Sequence, residues 1–218
     1  MKLRKWIGWI VGILFSLAFF WMVVLKLILR LVKTAPCCAD TVSWVVDNPF
    51  RRLYISSLLD WVGIQKGERV LELGPGPGVF TVDAARRLGP QGCLIVVDLQ
   101  QKMIDKANER IAQAGLANVE TYVSGAYELP LENASLDRAF LVAVLSEIPD
   151  QSCALSELHR VLKPGGVLSI SEELLDPDYP LPSETIRRVE AKGFRLKQRF
   201  GNFWLYTLNF EKTSQLPS

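Results

Sequence analysis

Three glycines at alternating positions, Gly74, Gly76 and Gly78, stand between the apolar stretch Arg69–Leu73 and the helix-forming stretch Val79–Leu88. Pro75 and Pro77 fill the gaps and can donate to neither a sheet nor a helix interior. The five residues therefore form a loop that turns a strand directly into a helix. The same order recurs along the chain. Cys93–Asp98 stays apolar up to its last residue, as a strand buried on both faces must, and Gln101–Ala114 follows as a helix. Val119–Val123 and Leu136–Val142 read as strands three and four. Asp150–Leu162 reads as a helix stopped by Lys163-Pro164-Gly165-Gly166, and Val167–Ser171 as strand five. After a proline-rich link, Ser183–Lys192 is a helix. Phe194–Phe200 and Phe203–Phe210 are two strands joined by a tight Gly201-Asn202 turn. Strands alternating with helices imply an α/β domain. Its seven strands make a mostly parallel sheet with helices on both faces, and the C-terminal hairpin places one strand antiparallel.

A separate object precedes this domain. Trp6–Leu25 is a run of 20 residues without a charge, which as a helix spans roughly 30 Å, the thickness of a bilayer core. Trp6, Trp9 and Trp21 lie near its ends, and Lys5 and Lys26 bracket it. The run is long for a cleaved signal peptide, and no small-x-small cleavage site follows closely. It also lacks the polar face of a core helix, so a single transmembrane helix is expected. Gly8, Gly12 and Ser16 form a line of small residues along which two copies could pair as a homodimer.

Residues 1–33 carry six basic residues and no acid, leaving 19 basic against 23 acidic residues in the remainder. Such a mildly acidic body argues against a broad nucleic-acid surface. The expected organisation is a transmembrane anchor over 1–33, a juxtamembrane linker and lid helix over 34–65, the α/β domain over 66–211 and a tail over 212–218. Cys37 and Cys38, just past the span, are either unmodified thiols or acylation sites. Cys93 and Cys153 are expected in the core. One histidine and no Cys-x-x-Cys argue against a zinc site.

The chemistry is concentrated at two strand ends. After the glycine loop, the next helix presents free N–H groups and the positive end of its dipole. Asp98 ends the following strand, 20 residues after Gly78, where a carboxylate can accept hydrogen bonds from both hydroxyls of a ribose. Together they describe a nucleoside site. A dinucleotide fingerprint, Gly-x-Gly-x-x-Gly/Ala, fails: Val79 or Thr81 occupies the last position. This argues against a nicotinamide-dependent oxidoreductase.

An acidic residue two before the first of three alternating glycines, Glu72-Leu73-Gly74-Pro75-Gly76-Pro77-Gly78, resembles instead the class I S-adenosylmethionine-dependent methyltransferases. Val97-Asp98-Leu99 followed by Met103 resembles their second-strand motif. Gly125-Ala126-Tyr127-Glu128-Leu129-Pro130 resembles their adenine-side loop. Leu136-Asp137 resembles the start of their fourth strand, and Leu158 to Gly166 their helix-to-fifth-strand junction. The likeness is greatest to the type 11 branch of quinone and small-molecule methyltransferases. It covers residues 48–173 well and 174–211 loosely.

The resemblance implies a Rossmann-like fold and S-adenosylmethionine as cofactor. Glu72, Gly74, Gly76 and Gly78 would line its methionine part. Asp98 would hold the ribose, Leu99, Gly125 and Ala126 would flank the adenine, and Val142 would lie near the sulfonium. The chain departs from the family at Ala126, where an aspartate often takes the adenine amino group, and at Leu136, usually a phenylalanine. If the reaction needs a base, Glu147 after strand four is the first candidate, followed by Tyr127, Glu172 and Glu173. His159 is read as structural. Asn133-Ala134-Ser135 matches a glycosylation sequon, which matters only in a lumenal compartment.

The helix Pro49–Trp61 and the stretch Leu174–Leu181, rich in aromatic residues and leucine, are the expected cover of the site. With the anchor they imply a lipophilic small-molecule or lipid acceptor at a membrane, with the domain on the cytosolic side where the cofactor is supplied. The alternative is a non-catalytic cofactor-binding or scaffold protein of the same fold.

Overall fold

The computed structural model describes residues 57–174, 176 and 178–213, together with Trp9, Gly12, Ile13, Ser16, Leu17, Phe20, Trp21 and Val24. The chain divides into two compact units, 1–36 and 37–218. In the first, all eight described residues are helical. No helix among the described residues is long and apolar enough to cross a membrane. The rest of the expected span Trp6–Leu25, Cys37, Cys38 and the beginning of the expected lid helix lie outside the described residues.

The second unit is an α/β sandwich. Helix α1 (Leu58–Val62) leads to β1 (Arg69–Leu73), α2 (Thr81–Leu88), β2 (Cys93–Asp98), α3 (Gln101–Gln113), β3 (Val119–Val123) and β4 (Leu136–Val142). A single 3-10 turn, Leu145–Glu147, precedes α4 (Gln151–Val161), β5 (Leu162–Glu173), α5 (Pro182–Glu190), β6 (Phe194–Gly201) and β7 (Leu205–Lys212). The seven strands form one sheet in the order β3-β2-β1-β4-β5-β7-β6. β1 pairs in parallel with both β2 and β4, β4 pairs in parallel with β5, and β7 runs antiparallel between β5 and β6. The strand order reverses at β1, which puts the ligand-binding crevice beyond the carboxyl ends of the strands around it.

Side chains alternate between two buried layers. Leu71, Leu73, Ile95, Leu141, Leu168, Ile170 and Tyr206 face one, with Leu158 and Val161 of α4. Val70, Leu94, Val96 and Phe140 face the other, with Ala84, Ala85 and Leu88 of α2 and Leu58 and Val62 of α1. Both faces are dry, so the central strands need apolar residues at every position.

Three details differ from the sequence expectations. Strand β5 begins at Leu162, because Leu136 already pairs with it; Lys163–Gly166 then bulges before the register resumes at Arg138↔Val167. The hairpin turn is longer than Gly201-Asn202. Asn202 N–H donates to the Leu205 carbonyl (2.8 Å), its Oδ1 accepts from Trp204 N–H (2.8 Å), and Phe203 and Trp204 are exposed. Cys153 is exposed and Cys93 half-buried, since α4 turns Ala154, Leu155, Leu158 and Val161 inward instead.

Candidate active site

The glycine loop is built by three different demands. Gly74 N–H donates to the Val97 carbonyl at 2.8 Å, continuing the β1–β2 ladder into the loop. Its φ is +70°, and a Cβ there would lie 2.6 Å from Cγ2 of Val144. Gly78 closes the loop by donating to Pro75 O (3.1 Å), and a Cβ on it would press on the Ala107 backbone of α3 at 3.2 Å. At Gly76 a Cβ would meet nothing within 4 Å. Two of the glycines thus serve packing, and the third presents bare backbone to open space.

Glu72, 1% exposed, sits one residue before the end of β1. Its Oε2 accepts a hydrogen bond from Thr81 Oγ1 (2.7 Å) at the start of α2. Its other oxygen, Oε1, is buried without a partner. Burial pushes its pKa up to about 8, with the Asp98 charge adding to the rise and the Thr81 hydrogen bond opposing it. Asp98 ends β2 in the register position after Val97, which pairs with Leu73. It is buried and accepts a hydrogen bond from Gln100 N–H at 2.8 Å. Burial raises its pKa too, against backbone hydrogen bonds from Gln100 and Gly76. Parallel pairing therefore brings Glu72, Gly76 and Asp98 to one end of two adjacent strands.

The remaining expected residues flank this point. Leu99 is 67% exposed, and a Cβ on Gly125 would approach its Cδ1 to 3.8 Å. Ala126 is half-buried against the first core layer, and Tyr127 is 44% exposed. Its hydroxyl accepts from Asp150 N–H at 2.9 Å, ahead of α4. Val142, half-buried at the end of β4, packs on the second core layer. Ala143 follows with φ +54°, an uncommon conformation for a residue with a side chain, and its N–H donates to Ser171 O (2.8 Å). Glu147 ends the 3-10 turn, half-buried.

The segment after β4 links two parts of the site that lie far apart in sequence. Val144 packs on Gly74, and Ser146 Oγ lies 3.5 Å from Glu172 Oε2 at the end of β5. Neither contact has a sequence signature. His159, in contrast, sits near the far end of α4, edge-on to Phe194 (centroids 5.3 Å apart). Burial and the Lys212 charge lower its pKa. The structure keeps it out of the site. In the expected covering stretch, Leu174 and Tyr179 are packed into the first core layer while Leu181 is exposed. Among the described residues, no group of acidic, cysteine or histidine side chains is arranged to hold a metal ion.

Residues 64–204 match the family described as a methyltransferase domain. Over 142 residues the chain is 33% identical to the ubiquinone/menaquinone biosynthesis C-methyltransferase UbiE of Pasteurella multocida, covering 63% of this chain and 52% of that protein. It is 32% identical to an arsenite methyltransferase of Halobacterium salinarum over 142 residues, covering 65% and 36% respectively. The chain spans about half or less of the length of these curated relatives. A solved structure of an S-adenosylmethionine-dependent methyltransferase from Aquifex aeolicus has the same fold, with a TM-score of 0.74 at 23% identity over 80% of this chain and 98% of that one. The matched region runs from ahead of β1 to the hairpin turn and takes in the glycine loop and Asp98, and the chain belongs to the methyltransferase-domain family, enzymes whose cofactor is S-adenosylmethionine.

Proposed function

We propose that this chain is a membrane-anchored methyltransferase that transfers the methyl group of S-adenosylmethionine to a small lipophilic acceptor. The observation that carries the reading is the convergence of Glu72, Gly76 and Asp98 at the carboxyl ends of β1 and β2, with Glu72 Oε1 buried and unpartnered. These residues fit the cofactor. Oε1 of Glu72 suits an ammonium group, the bare backbone at Gly76 admits close approach, and Asp98 suits a ribose diol. Gly74 and Gly78 hold the loop in shape around them. Leu99 offers an exposed apolar face to a purine ring, and Gly125 and Ala126 line its other side. When bound, the group supplies a methyl carbon made electrophilic by a positively charged sulfur.

The protein's part is to align and desolvate the reactants. Val142 and the strained Ala143 border the place where the acceptor approaches. Glu147 receives a proton where the acceptor must lose one, and Tyr127 positions the loop that carries it. The names of the quinone-pathway and arsenite relatives support a small acceptor. The uncharged run Trp6–Leu25 and the helical state of its described residues support an anchor, and the need for S-adenosylmethionine favours a domain on the cytosolic side. Within the anchor, the small residues Gly8, Gly12 and Ser16 would let two copies approach closely.

The test is calorimetric titration of the full chain in detergent with S-adenosylmethionine, S-adenosylhomocysteine and NADH. Binding of both sulfur nucleosides and not NADH, weakened at least tenfold by Asp98→Ala, is expected. Binding of NADH alone, or of none, overturns the reading. Flotation of the full chain with liposomes, lost on deletion of residues 1–33, tests the anchor.

A further inference from the structure

The turn between β6 and β7 is firmly built, yet it displays aromatic rings to the outside. A Cβ at Gly201, where φ is +84°, would collide with Leu205 O. Asn202 caps the turn with its side chain. The Tyr179 hydroxyl donates to Phe203 O at 2.7 Å, and Leu174 N–H donates to Trp204 O at 2.8 Å. The backbone of Phe203 and Trp204 is thus fastened to the end of β5 and to the segment that follows it. Their side chains are 53% and 44% exposed, edge to face with ring centroids 6.2 Å apart. Leu181, two residues beyond Tyr179, is also 53% exposed. A turn held this way presents its rings by construction, not through slack in a loop.

The place and chemistry of the tip point to one kind of partner. Leu205, the first residue of β7, pairs with Glu173 at the end of β5. The tip therefore stands at the carboxyl ends of the parallel strands, the end that holds Glu72, Gly76 and Asp98. In the sheet β7 is three strands along from β1, roughly 14 Å at about 4.8 Å per strand. At roughly 200 Å² for a fully exposed side chain, Phe203, Trp204 and Leu181 together offer about 300 Å². A stable protein interface takes about 800 Å² from each partner, so the patch is too small to hold a second copy. Shallow insertion into lipid needs no such area, and aromatic rings favour the membrane–water interface. The charge agrees. From Phe194 to Lys212 the hairpin carries Arg195, Lys197, Arg199 and Lys212 against Glu211 alone. Arg199 is exposed, two residues before Gly201. That places it about 7 Å behind the tip, at the depth of the headgroups when the rings reach the acyl boundary. The chain that carries this tip also carries the uncharged run Trp6–Leu25.

We propose that Phe203, Trp204 and Leu181 form a second membrane contact, inserting into the interface of an anionic bilayer while Arg199 meets lipid phosphate. This rests on the membrane anchoring proposed above and adds which end of the α/β domain meets the lipid. With the tip in the interface, the carboxyl ends of the strands face the bilayer. A lipophilic acceptor then reaches the site from lipid without first crossing water.

The experiment uses the full chain with 5-fluorotryptophan at every tryptophan, reconstituted in bicelles of phosphatidylcholine and phosphatidylglycerol in equal parts. A small share of the phosphatidylcholine carries a nitroxide high on its acyl chain. Fluorine NMR reads how much each tryptophan resonance is broadened, with single Trp→Phe variants for assignment. Trp61, half-buried and stacked on Phe200, is the reference within the domain, and Trp6, Trp9 and Trp21 report on the anchor. Trp204 is expected to broaden severalfold more than Trp61. Phe203→Ser with Leu181→Ser is expected to remove most of that excess, while the Trp61 resonance keeps its shift and shows that the fold is intact. Broadening at Trp6, Trp9 and Trp21 with none at Trp204 beyond that of Trp61 overturns the tip contact and leaves the anchor standing. No broadening at any of the four removes the anchor, and this proposal with it. A Trp204 sheltered from a water-soluble gadolinium chelate but untouched by the labelled lipid would put protein on the tip instead, and also overturns the proposal.

Discussion

Thr81 Oγ1 donates to Glu72 Oε2 at 2.7 Å, a hydrogen bond that spans the glycine loop and fastens the end of β1 to the first turn of α2. It satisfies one oxygen of a carboxyl whose pKa burial raises to about 8. The sign of the consequence is fixed. An acid whose folded pKa lies above its unfolded value of 4.5 favours the folded state fully below pH 4.5. That contribution is lost as pH rises through about 8. Without cofactor, the stability of the wild type should therefore fall by about 3–5 kcal/mol relative to Glu72→Gln between those limits. Chemical denaturation of both proteins at a series of pH values measures it.

The same carboxyl couples cofactor binding to protons. A cationic group placed at Oε1 favours the ionised form, so binding at pH 7 should release a proton in the wild type and none from this position in Glu72→Gln. Calorimetry in two buffers of different ionisation heat reads the difference. Thr81→Val, which removes the one hydrogen bond that lowers the Glu72 pKa, should increase the proton release and cost about 1–3 kcal/mol of stability.

Gly74 and Gly76 are predicted to fail in opposite ways. In Gly74→Ala the new methyl meets Val144 Cγ2 at 2.6 Å and the backbone stands at φ +70°, so the variant should lose about 2–4 kcal/mol of stability. Adding Val144→Ala should restore the steric part. In Gly76→Ala nothing lies within 4 Å of the methyl, and only the backbone strain of about 1 kcal/mol remains. Its melting temperature should stay near wild type while its affinity for S-adenosylhomocysteine falls at least tenfold. Paired thermal melts and titrations distinguish the two.

The central strands were legible because both their faces are dry. A continuous apolar run between turn residues has few alternatives, and β1, β2 and β4 begin and end where the sequence places them, as does the partly exposed edge strand β3. Parallel pairing of β1 with β2 then forces Glu72 and Asp98 to one end, so the juxtaposition of these two carboxyls was legible as well. The contacts made by the turn after β4 were not. The approach of Val144 to Gly74 joins positions 70 apart, and that of Ser146 to Glu172 joins positions 26 apart. Both are set by how the turn after β4 crosses the sheet end. The hairpin was misplaced for a local reason. Asn202 caps the turn with its own side chain, so Phe203 and Trp204, which look like strand residues, are left in the loop.

Tyr127 is predicted to hold the turn after β4 in place. Its hydroxyl already accepts the Asp150 N–H, and that bond ties the loop Gly125–Pro130 to the segment leading into α4. Tyr127→Phe should therefore speed hydrogen exchange at the Asp150 amide by roughly tenfold, at a stability cost of about 1 kcal/mol. An unchanged exchange rate would show that the bond contributes nothing to order in this loop.

Arg138 ties the start of β4 to the end of α1. From β4 its Nε and Nη2 donate to the two carboxylate oxygens of Glu68, each at 3.0 Å, and its Nη1 donates to the carbonyl of Val62 at the end of α1, 2.8 Å away. The side chains are only 10% and 17% exposed. A forked pair this sheltered is costly to break on one side, because the surviving charge stays buried. Arg138→Met should lose about 3–5 kcal/mol. Replacing both partners, Arg138→Met with Glu68→Leu, should recover most of that loss, since no charge is then stranded. What the double variant does not restore is the tether to α1. Exchange at the amides of Leu58–Val62 should remain faster than in the wild type even where global stability has returned. Denaturant titration reads the first effect and amide exchange the second. A double variant that recovers both would mean that apolar packing of Leu58, Leu59 and Val62 alone positions α1 on the sheet.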